Sequence, residues 1–535
     1  MTLNILTIGI IILISVFLNK ASSKIGIPTL LAFIILGLLF GSEGIVKIPF
    51  DNYEFASRIC TVALIFIMFY GGFGTNWMEA KKIAPQAILL ASLGVAMTAV
   101  LTGLFTYYVL KFDFWESMLM GSVISSTDAA SVFTILRSKK LNLKDNTASM
   151  LELESGSNDP SSYMLTAITL SIMNGNANGT KIIYMVFAQV VYALLIGFII
   201  AKLSIYLLKH FDFEINGFDA VFVLSVAILS YAIPEAIGGN GYLSAYIVGI
   251  MLGNQNFKNK VDLVHFFNGV TGFMQVIIFF LLGLLAWPSR LPSIALPALA
   301  IALFLTFIAR PITVFAILSP FKASMGQKLI VSWSGLRGAA SIVFAILATV
   351  DPAYMKNDIY HVVFFLVLLS ISVQGSLIPI LSRKLNMIDH TENVMKTFTD
   401  YQDEEPVGFI QLSIDKYHPW LNQSIKEVRL PPGILIVSIV RDDIPIAPNG
   451  DTIMKEEDIL ILSARAVSNE ITTELTELKA DKNLIGKKIS EIKLDRGRLI
   501  IVVKREDEII IPDGNTIIEE DDFIVINNTV LKEIK

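Results

Sequence analysis

Thirteen apolar stretches follow one another over the first 385 residues, at about 3–18, 28–42, 58–78, 84–110, 116–136, 146–174, 181–209, 219–237, 241–253, 262–285, 295–318, 326–350 and 355–382. Their lengths suit helices that cross, or nearly cross, a hydrocarbon layer of about 30 Å. Runs this long without period-two alternation exclude a closed β-barrel. Two of them, 28–42 and 241–253, are short, and the second is expected to be half of a broken element. Beyond residue 390 the pattern changes, and charged residues become frequent with Ile and Val alternating among them. That alternation predicts strands in a soluble region. The expected fold is an all-α polytopic membrane protein of about 13 transmembrane helices followed by soluble α+β modules. The expected divisions are a membrane domain at 1–385, a linker at 386–408, and two modules at 409–466 and 467–535.

Three polar interruptions break the apolar pattern. Within 146–174, a rotation of 100° per residue puts Glu154, Ser155, Asn158 and Asp159 on one side of a helix. Ionisable groups at membrane depth are costly unless paired, hydrated or holding an ion, so the cluster is a candidate transport site. A cap at a helix mouth is the plainer alternative. Ser125-Ser126-Thr127-Asp128-Ala129-Ala130-Ser131 interrupts the fifth segment, and Ser332-Trp333-Ser334-Gly335-Leu336-Arg337-Gly338-Ala339-Ala340-Ser341 the twelfth. Both predict unwound helices whose free carbonyls and half-helix ends face an ion. Small-residue packing accounts for their serines and glycines but not for Asp128 or Arg337. A buried arginine keeps its proton and must find an anion or a dipole end, so Glu154 is the first expected partner of Arg337 and Asp128 the second. Arg310 either needs a similar partner or snorkels to the surface. Asp159 is then left to alternate between a proton and a metal cation, helped by oxygens of Ser155, Thr127 and Asp128. Asn158, with a donor and an acceptor, can cross-link the broken backbone.

The chain also repeats itself. Residues 31–41 align with 243–253 at an offset of 212, and 127–131 with 337–341 at 210. With units taken as helices 2–7 and 8–13, both begin on the same side of the membrane, which predicts a parallel repeat. In the soluble region, Ile425 to Gly433 match Ile489 to Gly497, and Pro448 to Ile453 match Pro512 to Ile517, both at an offset of 64. These predict two like-folded modules, each a short helix followed by strands at 435–440 and 459–462, and again at 499–503 and 523–526.

Composition narrows the function. The 535 residues are 54% hydrophobic and 17% charged with a net charge of -5, and neither a basic tail nor aromatic-basic interleaving occurs, which excludes nucleic acid as a partner. The single cysteine, Cys60, excludes an internal disulfide or a thiolate metal cluster and is expected to pack as a small apolar residue. The first segment lacks a basic leader region and a small-residue cleavage signal, so it is expected to stay as a helix. Fifteen Lys and Arg fall in loops on one side against six on the other, which places the amino terminus outside and the soluble region in the cytoplasm. Glu152, Glu235, Asn240, His265, Gln275, His361 and Gln374 are expected to serve at interfaces, turns or helix contacts. Without a metal-binding His-Glu-x-x-His, a P-loop or a nucleophile elbow, an enzyme is a poor fit and no cofactor is expected.

Thr127-Asp128, Glu154-Ser155-Gly156-Ser157-Asn158-Asp159-Pro160, Ala309-Arg310-Pro311 and Gly335-Leu336-Arg337-Gly338-Ala339, in that order, resemble the NhaP/sodium-proton exchanger branch of the monovalent cation:proton antiporters. The resemblance covers residues 1 to about 385. It implies that Asp159 is the ion-binding aspartate, with Asn158 before it, Thr127 and Asp128 on one unwound helix, Arg337 on the other, and Glu154 pairing an arginine. It also implies a homodimer in the cell inner membrane and inverted six-helix repeats, which conflicts with the parallel arrangement above. The soluble modules are similar to the TrkA-C, or RCK carboxyl-terminal, domain of potassium transport systems. Without a companion Gly-x-Gly-x-x-Gly they would bind a small effector such as a nucleotide at their interface, or only strengthen a dimer. The expected function is electroneutral antiport of potassium, in preference to sodium, against protons. The alternatives are a sodium/proton antiporter, and a non-transporting sensor or an ion channel regulated by the tail.

Overall fold

The computed structural model describes residues 2–25, 29–75, 77–128, 132, 136, 141–211, 217–255, 257, 260–353, 355–389 and 407–528, the last range without 417, 432, 442–443, 447, 466–473, 481–483, 493–497, 506–507, 511 and 521. Ala129, Ala130 and Ser131 of the first polar interruption, the basic residues Arg137, Lys139 and Lys140, and most of the expected linker lie outside the described residues. The chain divides into two compact units, Met1–Gln402 and Asp403–Lys535.

The first unit is helical apart from a two-stranded pairing of β1 (Asn142–Leu143) with β2 (Ile388–Asp389). Its longer helices are α1 (Thr2–Ile25), α2 (Thr29–Phe40), α3 (Tyr53–Gly74), α4 (Ala84–Tyr108), α5 (Phe114–Val123), α6 (Thr147–Met173), α7 (Gly179–His210), α8 (Phe218–Ala236), α9 (Gly241–Gly253), α10 (Lys260–Leu285), α11 (Pro288–Leu318), α12 (Met325–Trp333), α13 (Ala339–Val350) and α14 (Ile359–Lys384). Among the described residues, seven are long and apolar enough to span a membrane: α3, α4, α7, α8, α10, α11 and α14. An all-α polytopic core is therefore present. Helix starts follow ordinary capping chemistry. The Asn52 side chain accepts from the Phe55 N–H, Asn178 from Lys181, Asn240 from Leu243 and Ser324 from Gln327. Cys60 is buried within α3.

Both predicted interruptions are unwound. After α5 the chain is non-helical from Ser125 to Asp128, and between α12 and α13 it is non-helical from Gly335 to Gly338. The two segments cross, and the Asp128 N–H donates to the Leu336 carbonyl at 2.8 Å. The expected α9 is a complete short helix that begins after a break at Gly238, whose φ of +84° suits glycine.

The packing corrects the repeat boundaries. A Cβ at Gly37 of α2 would lie 2.2 Å from the Phe280 carbonyl and 2.8 Å from the Leu284 nitrogen on α10. A Cβ at Gly249 of α9 would lie 2.1 Å from the Phe69 carbonyl and 2.9 Å from the Phe73 nitrogen on α3. Adding 211 or 212 to each residue of the second contact's α3 partner, or to Gly37, converts one crossing into the other. Gly72 against Tyr246 and Ile250, and Gly283 against Ile34 and Leu38, form a second such pair. The same crossing is thus made twice, by α2 on α10 and by α9 on α3, so that α2 and α3 correspond to α9 and α10. The expected division into helices 2–7 and 8–13 puts α2 first in its unit but α9 second in its own, so the matched crossings do not stand at equal places in those units.

The second unit contains two four-stranded antiparallel sheets. One has the order β3-β6-β4-β5, from β3 (Val407–Ser413), β4 (Leu435–Arg441), β5 (Ile444–Ile446) and β6 (Ile459–Arg465). The other has the order β7-β10-β8-β9, from β7 (Glu474–Lys479), β8 (Arg498–Arg505), β9 (Glu508–Ile510) and β10 (Phe523–Asn528). The predicted strands are present, and the leading strands β3 and β7 precede them. Where a short helix was expected, each module has a single three-residue turn, Ile425–Glu427 or Ile489–Glu491, stopped by extended Val428 or Ile492. Arg441 grips Asp458 through two nitrogens, both at 2.7 Å, and Arg505 grips Asp522 at 2.8 Å. Each arginine also donates to one backbone carbonyl, Ile453 or Ile517, at 2.8 Å. The fork from Arg505 holds the Asp522 carboxyl below its ordinary value. Burial pushes Asp458 up, but the Arg441 fork and the Lys455 N–H carry it below its ordinary value as well.

Candidate functional site

Helix α6 supplies the side chains that meet the crossing. It runs unbroken for 27 residues through Pro160, and Glu154, Asn158 and Asp159 are all buried. Spacing along one face brings Glu152, Ser155, Gly156 and Asp159 to a common cavity of about 170 Å3. The same cavity is lined by Ser126, Thr127 and Asp128 of the first unwound segment and by Gly338 of the second. Gly338 is tightly confined, since a Cβ there would lie 2.2 Å from an Asp128 carboxylate oxygen.

Hydrogen bonds tie α6 to the first unwound segment. The Ser155 hydroxyl donates to the Thr127 carbonyl at 2.9 Å, and the Asn158 amide donates to the Thr127 hydroxyl at 2.5 Å. The Ser126 hydroxyl donates to an Asp159 carboxylate oxygen. Asn158 was expected to cross-link the broken backbone, whereas it meets the side chain of Thr127, and Thr127, Asp128, Ser155, Asn158 and Asp159 are brought together. Ser126 was visible in the sequence only as one of several hydroxyls in that stretch, and nothing in its spacing singled it out. Glu152, expected near an interface, and Gln275, expected in packing, both line the cavity instead.

The arginines are assigned differently from expectation. Arg310 is 2% exposed, so it does not snorkel, and it donates to Glu154, which is 1% exposed. Arg337 does not take Glu154. Its Nη1 donates to the carbonyls of Ser125 at 2.9 Å and Ser126 at 2.5 Å. Unwinding the chain after α5 leaves these carbonyls without intrahelical partners at the negative end of the α5 dipole, and the guanidinium satisfies them. Sequence distance gave no means of choosing between the two arginines, whereas the helix crossing seats Arg310 beside α6. A second set of unforeseen contacts surrounds Asn240, whose amide donates to the Pro160 carbonyl at 2.8 Å and ties the start of α9 to α6. Glu235, expected near a helix end, accepts from the Tyr163 hydroxyl at 2.6 Å and from the Gly241 N–H at 3.1 Å across the α8–α9 break.

Arranged in this way, the cavity offers the carboxylates of Asp128, Glu152 and Asp159 and several neutral oxygens to a small cation, with positive charge held behind them by Arg310 and Arg337. Oxygen-only donors of this kind suit hard cations.

Comparisons with known proteins agree with that geometry. The transmembrane family of sodium/hydrogen exchangers matches residues 9–384, and the TrkA-C domain matches residues 409–467 and 475–527. The K(+)/H(+) antiporter NhaP of Alkalimonas amylolytica is 31% identical over 487 residues, covering 90% of this chain and 85% of the relative. The K(+)/H(+) antiporter NhaP2 of Shewanella baltica (strain OS223) is 31% identical over 470 residues, covering 86% and 81%. The solved structure of the sodium proton antiporter MjNhaP1 from Methanocaldococcus jannaschii shares the fold, with a TM-score of 0.63 at 24% identity over 72% of this chain and 99% of that one. With its unwound crossing, its polar cavity and these matches, the chain belongs to the sodium/hydrogen exchanger family, as an NhaP-type member that carries two TrkA-C domains at its carboxyl end.

Proposed function

We propose that the protein is an electroneutral secondary antiporter that exchanges one monovalent cation, potassium in preference to sodium, for one proton at Asp159. The observation that carries this is the cavity where Asp159 and Asp128 converge with the oxygens of Ser126, Thr127 and Ser155. A cation binds when Asp159 has released its proton, and rebinding of the proton expels it. Competition for one carboxylate makes the exchange obligatory. Because Asn158 is neutral, loaded and protonated sites carry equal charge when Asp128 keeps its charge through the cycle, and the membrane potential then does no net work. Asn158 holds the Thr127 side chain, Arg337 holds the unwound backbone, and the Glu154–Arg310 pair ties α6 to α11.

Support for potassium comes from relatives across most of the chain that are named K(+)/H(+) antiporters. Sodium is the second reading, favoured by the Na(+)/H(+) antiporter 1 of Methanocaldococcus jannaschii, 26% identical over 367 residues. We count thirteen crossings, with α12 and α13 forming one broken helix, and two copies of six crossings, α1–α6 and α8–α14, on either side of α7. Six crossings in the first copy and one in α7 make the second copy start on the opposite face, so the copies are inverted. The positive loop bias supports an amino terminus outside and a cytoplasmic tail. The tail modules, 409–466 and 467–535, regulate exchange through a small effector such as a nucleotide, and the protein works as a homodimer in the cell inner membrane.

Purified protein in proteoliposomes with an imposed pH gradient tests the proposal. Potassium should collapse the gradient at lower concentration than sodium, and the rate should be unchanged when a membrane potential is imposed. No cation-dependent collapse with any alkali ion would overturn antiport, and a transport current with a fixed reversal potential would overturn the one-for-one mechanism alone.

A further inference from the structure

Helix α14 carries a polar pair that the exchange mechanism above does not use. Over Ser370–Gln374 its hydrogen bonding widens to a π-helical turn, a feature that often marks a functional position. The Ser370 hydroxyl accepts from the Arg337 backbone N–H at 3.1 Å and donates to the Gln374 side-chain carbonyl at 3.0 Å. The Gln374 amide donates to the Trp333 carbonyl at 2.5 Å, and the Trp333 indole N–H returns a bond to the Gln374 backbone carbonyl at 3.0 Å. Trp333 is the last residue of α12, and Arg337 lies in the unwound segment that follows. The pair therefore spans the break. Both side chains are more than nine-tenths buried, so water cannot readily replace them.

The fold's internal symmetry gives this pair a counterpart. Ser370 and Gln374 stand 212 residues after Asn158 and Ser162 of α6. Asn158 donates to Thr127 in the first unwound segment, and Ser162 donates to the Ser122 carbonyl near the end of α5, at 2.6 Å. Ser122 and Trp333 are 211 apart, and Thr127 and Arg337 are 210 apart. The same two points of each broken helix are held by the same two points of the helix that follows it. The second clamp also reaches the ion site. Arg337, fixed by Ser370, holds the Ser125 and Ser126 carbonyls, and the Ser126 hydroxyl in turn reaches Asp159.

We propose that Ser370 and Gln374 are positioning residues for cation binding, setting the Arg337 segment so that Ser126 meets Asp159 from the far side of the crossing. Neither touches the cation. Their removal relaxes the unwound segment and weakens cation binding, while the proton-carrying carboxylate stays in place.

The inference rests on the proposed antiport, and the test separates the two. Full-length wild type, Ser370→Ala, Ser370→Thr and Gln374→Leu are reconstituted in proteoliposomes, and exchange is measured against potassium concentration and normalised to folded protein. The expected result is an apparent KM raised about tenfold in Ser370→Ala and Gln374→Leu, from an unmet hydrogen bond in a buried site, with maximal rate changed less than about twofold. Ser370→Thr, which keeps the hydroxyl, should restore the wild-type KM. Wild-type KM in both Ser370→Ala and Gln374→Leu, or no restoration by Ser370→Thr, would overturn the positioning role. A wild type without exchange would instead overturn the antiport reading. If Gln374→Leu fails to fold, the Ser370 pair of variants decides alone.

Discussion

The chain contains two internal duplications, and they have been kept in opposite ways. In the tail, the Arg441–Asp458 and Arg505–Asp522 forks agree to 0.1 Å and their backbone contacts correspond one for one. In the membrane core the glycine crossings correspond just as closely, yet Asp159 stands where the other copy has Ile371, Thr127 where it has Arg337, and Asp128 where it has Gly338. Close backbone approach tolerates little except glycine, so those contacts stay alike in both copies. At the crossing, two like-charged segments would repel each other, and two carboxylate-bearing ones would leave no cation to neutralise them. The core copies therefore share a scaffold and divide the charges, whereas the tail copies repeat the arginine–aspartate fork and differ around it, as where Arg505 also meets Glu519.

Asp159→Asn should have the largest effect. The amide can neither release a proton nor neutralise a cation, so exchange in proteoliposomes is expected to fall to the leak of empty vesicles. Retained exchange would mean that the asymmetry lies at another carboxylate. Next in size is Glu154→Gln, which strands the buried Arg310 guanidinium. It is expected to cost about 3–5 kcal/mol, seen as a lower melting temperature in detergent, with cation preference preserved. An unchanged melting temperature together with a switched preference would make Glu154 a cation ligand.

Two further substitutions test the symmetric parts. Gly37→Ala and Gly249→Ala each drive a Cβ to 2.2 Å and 2.1 Å from a helix carbonyl. Both should lose a similar amount, about 1–3 kcal/mol, in thermal melting, and a large difference between them would break the equivalence of the two crossings. The smallest effect is expected in the tail, where Asp458→Asn and Asp522→Asn should each weaken their module by about 1 kcal/mol, read as faster hydrogen exchange in β6 and β10 respectively. Each carboxyl is held below its ordinary value in the folded module. Its contribution is therefore complete at neutral pH, starts to fade as pH falls through the ordinary carboxylate value, and is lost once pH passes below the lowered folded value. The wild-type tail should loosen over that acidic window, and the two Asn variants should lose that part of the pH dependence.

The polar interruptions were legible because burying Asp128, Asp159 or Arg337 in an apolar run is too costly to be incidental. For the same reason Thr127, Ser155 and Asn158 could be grouped with them, and the tail's offset of 64 announced two like modules before any strand was seen. Pairing was another matter. Glu154 has two candidate arginines far along the chain, and only the fold brings Arg310 of α11 to it while the broken end of α5 occupies Arg337. Ser126, Ser370 and Gln374 are small or neutral residues of kinds common in membrane helices, so their sequence carries no signal until each is set against its partner 33 to 41 residues away.

Hydropathy and the cost of buried charge, both summed along the chain, were enough to define a helical membrane core with unwound polar segments and a duplicated soluble tail. The start of each core copy, the partner of each arginine and the clamp on each broken helix depend on approaches between distant backbones. Those approaches are set by where glycines let one helix meet another, and this information exists only in three dimensions.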